Sequence, residues 1–159
     1  MGESVGVDVI ASALPGSWRI SATNFPMWLN GSRRDPEFEY GVRREHPLAF
    51  DDRVRFRDDR GRPRTIAGVD HWTGDAFVWR GVGVLGLLRS RWSAAYLADD
   101  VMVLHFAKSR ITPAGTDIVV RVGTDHPELR RSVSADPARF GLTVEQFASL
   151  TWLEHVPAP

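Results

Sequence analysis

The chain has 159 residues, 43% of them hydrophobic and 25% charged, with a formal net charge of zero and no cysteine. That length supports one domain, residues 1–159, with a sizeable core, and the composition is that of a globular protein. The charge balance argues against nucleic acid or an anionic membrane as partner, and the missing cysteines exclude disulfide and thiol chemistry. The first residues carry no basic stretch and no long apolar run, so no signal peptide is expected. No apolar segment is long enough to span a bilayer, and a cytoplasmic protein is expected. Lys108 is the single lysine among twenty basic residues, which reads as compositional bias.

Residues 7–14 place Val7, Ile10, Ala11 and Leu14 at helical spacing, and Pro15-Gly16 ends the run. Trp18, Ile20 and Ala22 then alternate with Arg19, Ser21 and Thr23, the period of a strand. The apolar patch Asn24 to Leu29, with a proline inside it, suits a cap or lid over a mouth. From Asp35 the period is two almost throughout. Phe38, Tyr40 and Val42 alternate with charged neighbours, and so do Val54 and Phe56; Asp58 to Pro63 is a turn. Thr65, Ala67 and Val69 mark a fourth strand, Phe77 and Trp79 a fifth, and Trp92, Ala94 and Tyr96 a sixth. Between the last two, Gly81 to Leu88 is glycine-rich and suits a bent connection with close backbone approach. Val101 to Lys108 and Thr116 to Val122 complete eight strands with hairpin-length connections and no helices between them. That pattern predicts an all-β antiparallel barrel over about 16–123, closed so that no edge strand is left bare. His126–Ser134 and Thr143–Leu153 read as C-terminal helices within a segment of about 126–154. Thr143 and Gln146 form a capping-box pair.

Gly16-Ser17-Trp18 after a short helix resembles the Gly-x-Trp signature that opens the first strand of lipocalins and other calycins. The resemblance covers roughly residues 9–123. It implies a Trp that closes the barrel floor beneath an Arg from the end of the last strand, and Arg121 stands at that place. The resemblance does not extend to a subfamily. Unlike secreted lipocalins, the chain has no cysteine and is expected to lack a signal peptide. The glycine-rich first strand ending in Tyr-Pro, found in nitrobindin-type haem barrels, is also missing. It therefore implies a barrel with a cavity but no ligand class.

In a small barrel one face of each strand points inward. By apolarity that face carries Trp18, Ile20, Ala22 and Asn24, then Phe38, Tyr40, Val54, Phe56, Phe77, Trp79, Trp92 and Tyr96. So many aromatics exceed what a narrow barrel needs to pack solid, and a cavity for a flat or apolar molecule follows. The candidate ligand-binding residues are Asn24, Trp28, Phe38, Phe56, Phe77, Trp79 and Trp92. The candidate catalytic residues are Tyr40, Tyr96 and His105, groups able to move protons in a dry pocket. His105 shares a face with Val101 and Val103. If Met102, Leu104 and Phe106 face inward instead, His105 is exposed and Lys108 joins the lumen. Asp70-His71 reads as strand-end turn residues, and Asp51-Asp52, Asp58-Asp59 and Asp99-Asp100 as solvated turn formers. Arg80 is expected outside or at a rim, and Arg121 in a structural role. Arg53, Arg55, Arg57, Arg62 and Arg64 form a basic face that cross-strand Glu37 and Glu39 can neutralise. The five histidines lack metal-ligand spacing, and no phosphate loop, nucleophile elbow or dinucleotide fingerprint is present.

The expectation is enclosure of a small apolar or aromatic metabolite with no cofactor, leaning to an isomerase, cyclase or lyase of secondary metabolism. A non-catalytic carrier or sensor is the main alternative. Two others are a haem barrel using His105 or His155 and an interaction module using the arginine face. A homodimer is compatible with the sequence.

Overall fold

The computed structural model describes residues 4–110 and 112–154, so His155 lies outside the described residues. Helix α1 (Val7–Ala13) leads into β1 (Gly16–Thr23), and the one-turn helix α2 (Pro26–Leu29) follows. Seven further strands form a continuous meander: β2 (Arg33–Glu45), β3 (Leu48–Asp58), β4 (Pro63–Trp72), β5 (Phe77–Gly81), β6 (Arg89–Ala98), β7 (Val101–Phe106) and β8 (Gly115–Arg121). Each strand pairs antiparallel with its neighbours, and β1 pairs with both β8 and β2, which closes the barrel. The eight-stranded antiparallel barrel read from the period-two pattern is the observed fold.

The C-terminal segment differs in part. Helices α3 (Leu129–Ala135) and α4 (Val144–Ser149) are shorter than the expected 126–134 and 143–153. Thr143 and Gln146 do form the capping box, each side chain accepting from the other residue's backbone N–H. Trp152 and Leu153 are not helical, however. Thr151–Trp152 form a ninth strand, β9, on the stretch of β1 that β2 leaves unpaired. β2 covers β1 from Gly16 to Arg19, and β9 covers Ala22 and Thr23. An open edge near the barrel mouth is a stronger local demand than helix propensity, because its amide groups need partners.

Two apolar clusters share one wall. Inside the barrel are Trp18, Ile20, Phe38, Tyr40, Phe50, Phe77, Trp92, Met102, Leu104 and Val119. Outside it, Val101, Val103, Ile118 and Val120 pack under Leu129, Val133, Phe140 and Leu142. Strands β7 and β8 are thus buried on both faces. Bulges set which residues cross over. The register of β1 shifts between Ile20 and Ala22, so Ala22 belongs to the outer cluster and not, as its alternation suggests, to the lumen. The register of β6 shifts between Ala94 and Tyr96, and Tyr96 likewise packs outside. A bulge reverses the in/out phase of everything beyond it.

At the floor, the Arg121 guanidinium lies 4.3 Å from the Trp18 ring centre, as the resemblance implied. It donates to the carbonyls of Pro15 (2.9 Å) and Ala13, and its Nε donates to Asp100 at 2.8 Å. Trp18 Nε1 donates to the Leu14 carbonyl at 2.9 Å. Gly16 has φ +125°, and a Cβ there would meet the guanidinium, so no other residue suits the position. The arrangement joins α1, β1, β8 and the β6–β7 turn. Arg121→Ala should therefore lower stability by about 2–4 kcal/mol, since it removes a desolvated cation–π contact and several charge-assisted hydrogen bonds. Urea unfolding checks this; a midpoint equal to wild type would show that the clamp carries no weight.

Candidate functional site

The barrel holds a cavity of about 540 Å³. Its mouth is framed by Phe25, Pro26 and Met27, by Leu85 of the 3₁₀ turn Gly83–Leu85 and Leu88 beyond it, and by Thr112 and Pro113. The segment expected to cap the mouth thus does so. Trp28, Phe38, Tyr40, Trp79, Trp92 and Phe106 form the aromatic lining, with Val54 and Ile66 between them. Trp79 fits because β4 carries Gly68 against it; a Cβ at Gly68 would strike the indole. Beneath this layer Trp92 stacks on Phe77 with ring centres 4.7 Å apart.

The cavity brings together Tyr40, Trp28, Phe38, Trp79 and Trp92 of the candidate residues. Phe56 stands beside it, edge-on to Trp28 at 6.2 Å and under the Arg33 guanidinium at 5.2 Å. Phe77 lies below, fully buried. Three candidates lie elsewhere. Asn24 donates to Ser149 and accepts from the Thr116 amide, tying the end of β1 to β8 and α4. Tyr96 packs on Phe140, ring centres 4.8 Å apart, beneath the C-terminal segment. His105 also faces outward, because Met102, Leu104 and Phe106 take the inner face of β7. It is not merely exposed, however: its ring nitrogens bond Thr116 Oγ1 at 3.0 Å and the Gly141 carbonyl at 2.8 Å. Lys108 lies beyond the end of β7 and is exposed, so it does not join the lumen. A haem ligated by His105 is incompatible with this placement.

Three groups that the sequence reading assigned to turns or overlooked are inside. Asp52, Asp70 and Asp117 are 6%, 0% and 1% exposed. Asp52 is not in a turn but in the middle of β3, in phase with Phe50, Val54 and Phe56. Asp70 is in phase with Ile66 and Gly68 on β4, whose inward face is not Thr65, Ala67 and Val69. His71, its neighbour, points out and is exposed. Asp117 is in phase with Val119 on β8. The parity of each strand was the available signal.

These carboxyls have few donors. Asp70 Oδ1 accepts from Trp92 Nε1 at 2.8 Å. Asp70 Oδ2, Asp52 Oδ1 and Asp117 Oδ1 have no hydrogen-bond partner among the described residues. Asp52 pairs with Gly68 and Asp70 with Phe50, so the two carboxyls are diagonal neighbours on one face, and a proton held by one can be shared with the other. Burial raises the pKa of Asp52 well above the carboxylate range, and the Asp70 charge beside it adds to the rise. Burial raises Asp70 as well, though hydrogen bonds from Asp52 and Trp92 oppose this. Asp117 is pushed up to about 7 by burial, against a hydrogen bond from the Thr23 hydroxyl. Burial, and then the three carboxyls, drive the Tyr40 phenol well above its ordinary value. Among the described residues no group of three or more His, Cys, Asp or Glu is arranged to hold a metal ion.

No family model and no curated protein matches the chain. Solved structures do. Apocrustacyanin C1 superposes with a TM-score of 0.66 over 99% of this chain and 91% of its own, at 11% identity. The fold is that of a lipocalin. A biogenic amine-binding protein gives a TM-score of 0.61 over 95% and 84% of the two chains at 11% identity. A bovine odorant binding protein variant gives 0.55 over 93% and 100% at 17% identity.

The buried acids make stability pH-dependent. Each binds a proton more tightly folded than unfolded, so the folded state holds more protons between about pH 4 and 7. Stability therefore falls as pH rises through that window. For Asp117 alone the change is on the order of 4 kcal/mol. Urea unfolding from pH 4.5 to 8 should show this decline, and Asp117→Asn should flatten it and be the more stable protein at pH 8. A wild-type profile that rises over that range would contradict the assignment.

Proposed function

We propose that this protein is a carrier or sensor that encloses one small molecule with a largely apolar, flat body. The observation that carries the reading is the 540 Å³ aromatic-lined cavity beneath a mouth framed by three loops. A drug-sized molecule is held by such a space, and most of its surface would leave water there. The names of two similar folds, an odorant binding protein and a biogenic amine-binding protein, support small-molecule enclosure at a level that fixes no ligand.

The isomerase, cyclase or lyase expectation has less support than the carrier. It rested on Tyr40, Tyr96 and His105 converging in one lumen, and Tyr96 and His105 face the C-terminal segment instead. Tyr40 has buried acids beside it, but its own proton is held too tightly for a general acid or base at neutral pH. The interaction-module alternative predicts a packed lumen, which the 540 Å³ cavity does not give, and on its basic face two carboxylates serve four of the arginines. Arg53 and Arg55 pair with Glu39, and Arg62 and Arg64 with Asp58.

Binding is read with N-phenyl-1-naphthylamine, a neutral aromatic fluorophore. It should be taken up with one-to-one stoichiometry, quenching emission from Trp28, Trp79 and Trp92. Val54→Trp, which fills the lumen, should weaken uptake at least tenfold while the protein stays folded. Uptake unchanged by that substitution would move the site elsewhere. Native mass spectrometry of the purified protein should release a molecule that survives prolonged incubation with it unaltered; chemical turnover would overturn the carrier reading.

A further inference from the structure

The ionisable groups in the body of the cavity are mostly acidic. Asp117 and Asp52 form part of the wall, with Asp70 beside Asp52. Among the described residues the lining holds one cation, Arg33, and it is engaged at the mouth. Its guanidinium lies over Phe56, and its Nη1 meets Met27 Sδ at 3.6 Å. Two different states are available to the three acids. Asp52 and Asp70 satisfy each other by sharing a proton. Asp117 has no such partner: it sits on β8, its Oδ1 is unpaired, and the Thr23 hydroxyl is the donor beside it. A buried carboxyl with an open acceptor costs stability unless something supplies a donor or a positive charge. A purely apolar guest would leave that cost in place.

We propose that the enclosed molecule is an organic cation, a protonated primary or secondary amine on an aromatic or apolar body, with Asp117 as its counter-ion. The inference rests on the carrier reading and specifies its ligand. The ammonium donates to Asp117 Oδ1, and its remaining faces meet the rings of the lining. Tyr40, Trp92 and Phe106 attract cations through their ring faces, and more strongly in a dry site than in water. The body of the ligand occupies the space among Trp28, Val54, Ile66 and Trp79. The Asp52–Asp70 pair, with its one shared proton, adds negative potential on the β3–β4 side.

Protons move with the ligand. Free Asp117 holds its proton up to about pH 7, while the amine keeps its own far above that. Below pH 7 the ammonium must therefore displace a proton from Asp117, and above it the carboxylate is ready. Tyr40 on β2 is the ionisable group that interacts with Asp117, and it also senses Asp52 on β3 and Asp70 on β4. Thr23 on β1 and Leu104 on β7 flank it without charge.

Three naphthalene compounds of one shape test this by calorimetry at pH 8: 2-(1-naphthyl)ethylamine, 2-(1-naphthyl)ethanol and 1-naphthylacetate. The amine should bind at least tenfold more tightly than the alcohol, and the carboxylate most weakly. Amine affinity should fall toward tenfold per pH unit below 7, with close to one proton released per amine at pH 6; alcohol affinity should stay level. Asp117→Asn should abolish the preference for the amine over the alcohol, whereas Asp52→Asn should reduce that preference only partly. Wild type alone decides the ligand class, so misfolding of a variant leaves the test intact. Equal or better binding of the alcohol overturns the proposal, and so does a preference that survives Asp117→Asn. Failure of all three compounds together with N-phenyl-1-naphthylamine would instead overturn enclosure itself.

Discussion

A barrel of eight strands exists only if its first strand meets its last, and here that meeting is held by one side chain. Arg121 leaves β8 at the floor, covers Trp18 of β1 and donates to the carbonyls of Ala13, the end of α1, and Pro15. The same residue reaches Asp100 in the turn between β6 and β7. Four parts of the chain that are distant in sequence thereby share one charge. The Trp18 ring is fully buried while the Asp100 pair is exposed, so the stacking and the backbone hydrogen bonds outweigh the ion pair. It also places the helix α1 across the floor, where Ile10 and Leu14 are buried. With the lower end closed in this way, the other end can remain open.

Burial of three carboxyls is a cost that the rest of the core must offset. Asp52 and Asp70 lessen it by sharing a proton, and Trp92 lessens it by donating to Asp70. Trp92 is held in turn by stacking on Phe77 and by Tyr40, 6.0 Å away. The polar cluster is thus embedded in the aromatic one, and neither could be moved alone. Low local polarizability raises the stakes in both directions. It makes an unmatched acid expensive and a matched one strong.

Much of the fold was legible because period two survives over long stretches. Phe38-Tyr40, Val54-Phe56 and Phe77-Trp79 each declare an inner face, and Gly16-Ser17-Trp18 with Arg121 declares the closure. What could not be read were breaks in that period. A bulge leaves no fixed residue signature, so Ala22 and Tyr96 seemed to point inward. For β7, both faces are apolar because both are buried, and alternation could not choose between His105 and its neighbours. The site was less legible for a different reason. Aspartate is a strong turn former, and a pair such as Asp51-Asp52 resembles a turn whenever hydrophobicity alone defines the strand. Strand parity counted outward from Phe56 would have carried Asp52 into the lumen. Thr151–Trp152 were unreadable as a strand because their reason to extend is the bare edge of β1, a feature far away in the chain.

The two-faced burial of β7 and β8 divides the barrel into unequal halves. Those strands, with parts of β6 and β1, are packed from both sides, within by Met102 and Leu104 and without by Leu129, Val133 and Phe140. Strands β2 to β5 carry a single layer, with Glu37, Glu39, Arg53 and Arg55 facing water. Much of the lining, from Phe38 to Trp79, comes from that thinner half. Drift in ligand preference can therefore accumulate at Phe38, Val54, Ile66 or Trp79 while the double wall retains the fold. The molecule separates the part that evolution can rewrite from the part that it must keep.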